Sequence, residues 1–195
     1  MILSPTIARP NKKQAFELIK NLISETELTA ELESLYKFFL PTLPTKPKTP
    51  EQWVGKVPAK NQKDVRYYIH NIYVENGRMA GTDGHRLHMT DTNLEDGFYD
   101  FNSLDPISET AKYPNIDRVI PNHKKSDQVT VSSLKSKILE SGLEVMELFE
   151  THIQADYFRE ACAGFDVVTV EHGTKNESIL IKHAFGSAVV MPIRV

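Results

Sequence analysis

Residues 65–90 read VRYYIHNIYVENGRMAGTDGHRLHMT, and three strands joined by two tight turns account for this stretch. From 65 to 74 aromatic and β-branched residues crowd together, the composition of a pleated, half-buried strand. Asn76-Gly77 is a hairpin signal, because the central positions of a type I′ turn need positive φ. A second strand resumes over 78–80. Asp83-Gly84 closes a further turn: glycine adopts positive φ without steric cost, and the aspartate can accept hydrogen bonds from its own turn backbone. Residues 86–90 form the third strand, from which His85 and Arg86 emerge with polar tips.

Helices are expected on the N-terminal side. Residues 11–23 place Phe16, Ile19 and Ile23 at helical spacing, with Leu18 and Leu22 beside them. A second helical stretch over 25–39 carries Leu28, Leu32, Leu35 and Phe39, and Pro41, Pro44, Pro47 and Pro50 stop it. Residues 41–60 read as a proline- and lysine-rich connector, semi-rigid and on the surface. On the C-terminal side, 91–112 is acidic and aperiodic, an irregular excursion. Residues 113–121 form a short extended piece bracketed by prolines. Ser132 or Ser133 can cap a helix running to about Glu140 and closed by Gly142. Residues 143–152 read as a strand and 155–163 as a short helix ended by Gly164. Three strands follow, over 166–171, 178–183 and 188–195. The second half thus repeats the order of the first, a helix and then three antiparallel strands, with no repeat of sequence. The class is α+β.

With 195 residues, 40% hydrophobic and 25% charged, the chain has the composition of an ordinary globular protein and enough length for a real core. Apolar runs such as 187–193 are too short to span a bilayer, and residues 1–10 have no basic start leading into a long apolar stretch, so neither a membrane span nor a signal peptide is expected. Cys162 is the only cysteine. That excludes an internal disulfide and a cysteine metal site, and it fits a reducing cytoplasm.

The net charge of −3 does not mark the whole chain as a nucleic-acid binder. Its distribution is uneven. Residues 41–70 carry six basic side chains (Lys46, Lys48, Lys56, Lys60, Lys63, Arg66) against Glu51 and Asp64, whereas 91–110 carries six acids and neither Lys nor Arg. Such blocks are either solvated loops or one face that meets phosphates and another that repels them.

Catalytic chemistry finds little support. His85 and His88, with Asp83 near, invite a metal, but three residues along a strand point to opposite faces and the turn explains the aspartate. Cys162 sits in an expected helix with no local base, as a packing residue does. No glycine-rich phosphate loop, paired-carboxylate motif or Ser-His arrangement is present. Neither an enzyme nor a cofactor is expected.

The run Val65-Arg66-Tyr67-Tyr68, the Asn76-Gly77 hairpin and Thr82-Asp83-Gly84-His85-Arg86-Leu87 resemble the middle domain of the bacterial sliding clamp, the DNA polymerase III β subunit. Residues 113–121 (Tyr113, Pro114, Asn115, Ile116, Asp117, Arg118, Val119, Ile120, Pro121) resemble the segment that leaves that domain. Residues 189–195 (Val189, Val190, Met191, Pro192, Ile193, Arg194, Val195) resemble the clamp's C-terminus, and 155–195 follows the order of its last half-domain. The resemblance covers about half of the chain and departs from it over 24–61 and 91–112, which look like insertions. It implies a DNA-clamp-like domain of two helix-plus-antiparallel-strand halves over 1–195: a first half at 1–95 containing a helical and proline-rich insertion at 24–61, a connector at 96–126, and a second half at 127–195. A full clamp subunit has three domains. This chain has room for about one, so a closed ring would need several copies.

The resemblance further implies a docking pocket for the short peptides, glutamine-leading and ending in leucine and phenylalanine, that clamp partners carry. Its lining maps onto Arg66, Tyr68, Thr82, Gly84, His85, Arg86, Leu87, Pro114, Arg118, Val119, Val189, Met191, Pro192, Ile193 and Arg194. Leu87, Val119, Val189 and Met191 would floor an apolar slot, and Arg66, Arg86, Arg118 and Arg194 would ring it with donors. In clamps, helices also carry cations toward the phosphates of encircled duplex DNA without reading sequence. Here the expected helices offer Lys12, Lys13, Lys20, Lys135 and Lys137. Two functions follow from the resemblance: a processivity factor that tethers a polymerase to DNA as a homo-oligomeric ring, and a non-ring module that captures clamp-binding peptides and modulates host replication. A shortened clamp relative in the cytoplasm of a bacterial or phage-infected cell suits either.

Overall fold

The structure, a computed structural model, describes residues 46–58 and 67–194. They belong to one compact unit, Lys46–Leu139 with Leu143–Val195, apart from residues 140–142. The elements are α1 (Pro50–Val54), β1 (Ile72–Glu75), β2 (Arg78–Thr82), β3 (Arg86–Asp91), β4 (Gly97–Tyr99), β5 (Pro106–Ile107), β6 (Lys125–Thr130), β7 (Ser136–Ile138), β8 (Glu144–Leu148), β9 (Thr151–Gln154), α2 (Ala155–Ala161), β10 (Val167–His172), β11 (Ile179–His183) and β12 (Gly186–Val190).

Among the described residues, nine strands form one antiparallel sheet in the order β5-β4-β1-β2-β3-β12-β11-β10-β6, and β7-β8-β9 form a second. The chain's two halves meet inside the large sheet, where β3 pairs with β12: Leu87 stands opposite Val189, and His88 opposite Ala188. Each half supplies a helix followed by three consecutive antiparallel strands, α1-β1-β2-β3 and α2-β10-β11-β12.

Side chains alternate across a strand, so the sheet presents two faces. One carries Ile72, Val74, Met79, Ala188, Val190, Ile179, Ile181, Val168 and Val170, and it packs under Trp53 of α1, Phe158 of α2 and Met146, Leu148 and Ile153 of the small sheet. Trp53, fully buried, organises this core. Its ring stacks on His88 with centroids 4.3 Å apart and meets His183 at 4.6 Å, while its Nε1 donates to the Glu160 carbonyl of α2 at 3.0 Å. β2 approaches α1 closely at Gly81, where a Cβ would come within 2.9 Å of the Val54 carbonyl oxygen. The other face carries Phe98, Ala80, Leu87, Met89, Val189 and Leu180, and residues 113–120 cover it with Tyr113, Ile116 and Ile120.

Several sequence expectations are corrected. The helix expected from Ser132 or Ser133 to Glu140 is a single 3-10 turn, Val131–Ser133, and then β7. Pairing Lys137 with Val145 outweighs the weak local cap signal, so Lys135 and Lys137 lie beside and on a strand, not on a helix. The 41–60 connector is not simply a surface linker. Thr49 caps α1 by accepting from the Gln52 amide, Pro50 stands in its first turn, and Trp53 and Val54 are buried. The first expected strand begins with a 3-10 turn, Tyr67–His70, and becomes β1 only at Ile72. The acidic excursion contributes β4 and β5, and 113–121 contains the 3-10 turn Ile116–Arg118. The strand over 143–152 is the hairpin β8-β9, turned at Phe149 and Glu150, both at positive φ. The helices expected at 11–23 and 25–39 lie outside the described residues. Among the described residues no helix is long and apolar enough to cross a membrane.

Candidate functional site

The turn between β2 and β3 satisfies its own backbone. The Asp83 carboxylate accepts from the amides of His85 at 2.9 Å and Arg86 at 3.0 Å. The Thr82 hydroxyl donates to the Arg86 carbonyl at 2.7 Å and accepts from the Gly84 amide at 3.0 Å. Gly84 takes φ +89°, a left-handed conformation that a Cβ disfavours. A turn so fully bonded is rigid, and it leaves His85 exposed with its carbonyl aimed at the end of the chain. That carbonyl accepts from the Met191 amide at 3.0 Å as the backbone leaves β12. Two residues on, the Ile193 amide donates to the His152 carbonyl at 2.7 Å, which ties the terminal segment to β9.

Register then assembles the floor. Thr82 stands opposite Leu87, and Leu87 opposite Val189, in one row across β2, β3 and β12. Leu87 and Val189 are 3% and 1% exposed, each contributing about 1.5–3 kcal/mol by burial. Tyr113 and Ile116 belong to the same cluster. Tyr113 stacks on Tyr73, centroids 4.8 Å apart, and meets Phe98 edge-on. Burial pushes its phenol well above the ordinary value. Asn115 caps the following 3-10 turn by accepting from the Asp117 amide, and Asp117 pairs with Arg78 of β2 at 2.7 Å. The 113–119 segment is therefore pinned on this face by stacking, burial and an ion pair.

Three sequence-distant segments thus share one face: the end of β12 joins the β2-β3 turn at Met191, Tyr113 and Ile116 cover Leu87 and Val189, and Asp117 reaches Arg78 at the far end of β2. The rim they present is apolar at two points. Val119 is 46% and Met191 42% exposed, while Gly84, His85, Pro114, Arg118 and Arg194 are also exposed and Thr82, Pro192 and Ile193 half-buried. The floor itself, Leu87 and Val189, lies beneath Tyr113 and Ile116.

Not every expected residue joins them. Arg86 follows the strand alternation to the opposite face from Leu87. There it pairs with Asp83 at 3.0 Å and with Glu160 of α2, and lies over the Tyr157 ring. It braces the turn from behind. Tyr68 lies in the 3-10 turn Tyr67–His70. Arg66, Lys12, Lys13 and Lys20 lie outside the described residues. Lys135 and Lys137 edge an open cleft of about 470 Å³ that Glu147 and Glu150 also line, a balance of charge rather than a basic track. Arg159 of α2 is bound to Glu144 and Asp156.

Sequence reading missed the cover formed by Tyr113 and Ile116. It also missed a cleft of about 370 Å³ farther along the same face, lined by residues including Arg78, Met89, Asp91, Ile120, Leu180 and Phe185. The residues weighed for chemistry are separated or sealed. His88 is fully buried against Trp53, whereas His85 is exposed near Tyr157. Cys162 is buried, and desolvation pushes its thiol up to about 12.

No protein-family model matches the chain, and no curated protein matches it. Solved structures do. The chain is similar to the DNA polymerase sliding clamp from Pseudomonas aeruginosa, with TM-score 0.55 and 17% identity over 75% of this chain and 64% of that one. A sliding clamp (DNA polymerase III subunit beta) from Bartonella birtlesii bound to griselimycin gives TM-score 0.57 and 16% identity over 74% and 63%. The Helicobacter pylori beta clamp bound to a DNA ligase peptide gives 0.54 and 15% over 74% and 62%. The chain therefore has the fold of bacterial sliding clamps, and its match spans less than two thirds of their length.

Proposed function

We propose, from the clamp fold as premise, that this chain is a non-catalytic docking module of DNA replication. It would capture clamp-binding peptides of a polymerase or another replication or repair protein on the surface that joins residues 82–87, 113–119 and 189–194. The observation that carries this reading is exposed Met191, whose amide is held by the His85 carbonyl of the rigid turn, with exposed Val119 on the segment that covers the same face of the sheet. Exposed apolar groups on well-anchored backbone are what a peptide's leucine and phenylalanine bury against, with Met adapting to their shape. A neighbour of the same fold is a beta clamp bound to a DNA ligase peptide, which supports the same class of ligand here.

The fold also supports a processivity factor that encircles DNA as an oligomer. The non-ring reading is favoured by the described cations: Arg159 is held by acids, and Lys135 and Lys137 sit among glutamates. Both readings share the docking surface.

The test is fluorescence anisotropy with a labelled clamp-binding peptide, glutamine-leading and ending in leucine and phenylalanine. A Kd on the order of 1–100 µM is expected. Met191→Ala and Val119→Ala should each weaken binding by about tenfold while shifting stability by less than about 0.5 kcal/mol, because both side chains are exposed. Absence of binding at millimolar peptide, or full affinity in both variants, overturns the proposal.

A further inference from the structure

Sulfur is divided unevenly between the interior and the surface. The chain carries Met1, Met79, Met89, Met146, Met191 and the single cysteine Cys162. Among the described residues Met79, Met89 and Met146 are 0%, 5% and 4% exposed, whereas Met191 is 42% exposed. Met79 and Met146 pack in the core around Trp53. Met89 borders the cleft of about 370 Å³ but belongs to the buried cluster of Ala80, Leu180 and Tyr113. Cys162 is buried at the end of α2, out of reach of oxidants in solution.

The exposure of Met191 does not depend on fraying of the chain. Its amide donates to the His85 carbonyl at 3.0 Å, and the Ile193 amide donates to the His152 carbonyl at 2.7 Å. Pro192 between them restricts the backbone further. The segment is tied on both sides, and the thioether is presented to solvent from a folded surface. Such a sulfur reacts with hydroperoxides. Its lone pair attacks one oxygen of hydrogen peroxide, an S–O bond forms, the O–O bond breaks, and after proton transfer water leaves. Sulfur is oxidised and the peroxide reduced. The product, methionine sulfoxide, is polar and chiral where the thioether was apolar and adaptable. An apolar side chain laid against it would desolvate the new S–O group without giving it a partner, which opposes binding.

We infer that Met191 is a redox modification site: hydroperoxides convert it to the sulfoxide ahead of the other described methionines, and this modification weakens peptide docking until the sulfoxide is reduced. The loss of affinity rests on the peptide-docking reading, whereas the preferential oxidation stands without it.

The test treats the folded full chain with millimolar hydrogen peroxide and maps the products by mass spectrometry. Each methionine falls in its own tryptic fragment, so Met1 is scored apart from the rest. Met191 should oxidise at least about tenfold faster than Met79, Met89 or Met146. Anisotropy with the labelled clamp-binding peptide should then show affinity reduced about tenfold. Methionine sulfoxide reductases with dithiothreitol should restore it, the dithiol becoming a disulfide as the sulfoxide oxygen leaves as water. Met191→Leu keeps an apolar side chain without sulfur, and the same peroxide treatment should leave its own affinity where it was. Oxidation of Met89 or another described methionine as fast as Met191 overturns the inference. So does an oxidised Met191 chain that binds as tightly as the reduced one, or a Met191→Leu variant that loses affinity on treatment as wild type does. An untreated chain that binds no peptide overturns the docking reading and the switch together, while the mass map still reports which methionine is modified.

Discussion

The guanidinium carbon of Arg86 lies 4.5 Å from the centre of the Tyr157 ring, and the same side chain pairs with Glu160 of α2 and with Asp83 of its own turn. Helix α2 therefore braces, from its own face of the sheet, the back of the turn whose His85 carbonyl accepts from the Met191 amide. Removing the arginine leaves two carboxylates facing a largely buried site. Arg86→Ala should cost about 2–4 kcal/mol in urea unfolding, and Glu160→Gln about 1 kcal/mol. Arg86→Lys should fall between them, since it keeps the charge and loses the planar fork. A loss below about 0.5 kcal/mol for Arg86→Ala would mean that this brace is not stabilising.

Acid should destabilise the fold through two histidines. Burial, and then the nearby Arg86 charge, hold His88 well below the usual imidazole value, with the Trp53 carbonyl acting in the opposite direction. Burial also lowers His183. Its Nδ1 accepts from the Phe185 amide, so its Nε2 carries the proton donated to the Ala161 carbonyl. Both rings are neutral when folded, and the unfolded chain takes up protons first as pH drops. Stability should be level above about pH 6.5 and fall below it, by up to about 1.4 kcal/mol per pH unit for each ring, until the folded rings themselves titrate. Urea midpoints from pH 8 to pH 4.5 check this, and His183→Gln should reduce the slope. A midpoint flat from pH 7 to pH 5 contradicts it.

Cys162 should be inert in the native state. The thiol is buried at the end of α2, and desolvation raises it to about 12, so almost none is thiolate at neutral pH. Reaction with an aromatic disulfide reagent should proceed at least about a hundredfold more slowly in buffer than in 6 M urea. Equal rates would place the thiol at the surface.

The parts of the fold legible in the sequence were those fixed by local chemistry. Asp83-Gly84 and the strands around it follow from turn residues and composition, and α2 starts at Ala155 as expected but stops at Ala161, short of Gly164. Other elements depend on pairing across the sheet. Ser136, Lys137 and Ile138 have a helix-compatible pattern, yet they become β7 because β8 offers them a ladder. The helix α1 had a readable start, since Thr49-Pro50-Glu51 combines a cap, a proline and an acid in the first turn. The run of surrounding prolines obscured it, and nothing local indicated that Trp53 would fill the core. At the site, strand alternation already separates Arg86 from Leu87. The resemblance grouped them as neighbours in one motif, whereas the sheet sends them to opposite faces. The cover formed by Tyr113 and Ile116 depends on a packing partner distant in sequence, and no periodicity signals it.

The most direct test of the docking surface is the backbone amide spectrum of the isotope-labelled full chain, recorded while a clamp-binding peptide is added. Shifts should concentrate at Gly84, His85, Val119 and Met191, with smaller changes at Leu87 and Val189 beneath them. No shift at millimolar peptide, or shifts confined to the cleft around Lys137 and Phe149, would contradict the proposed site.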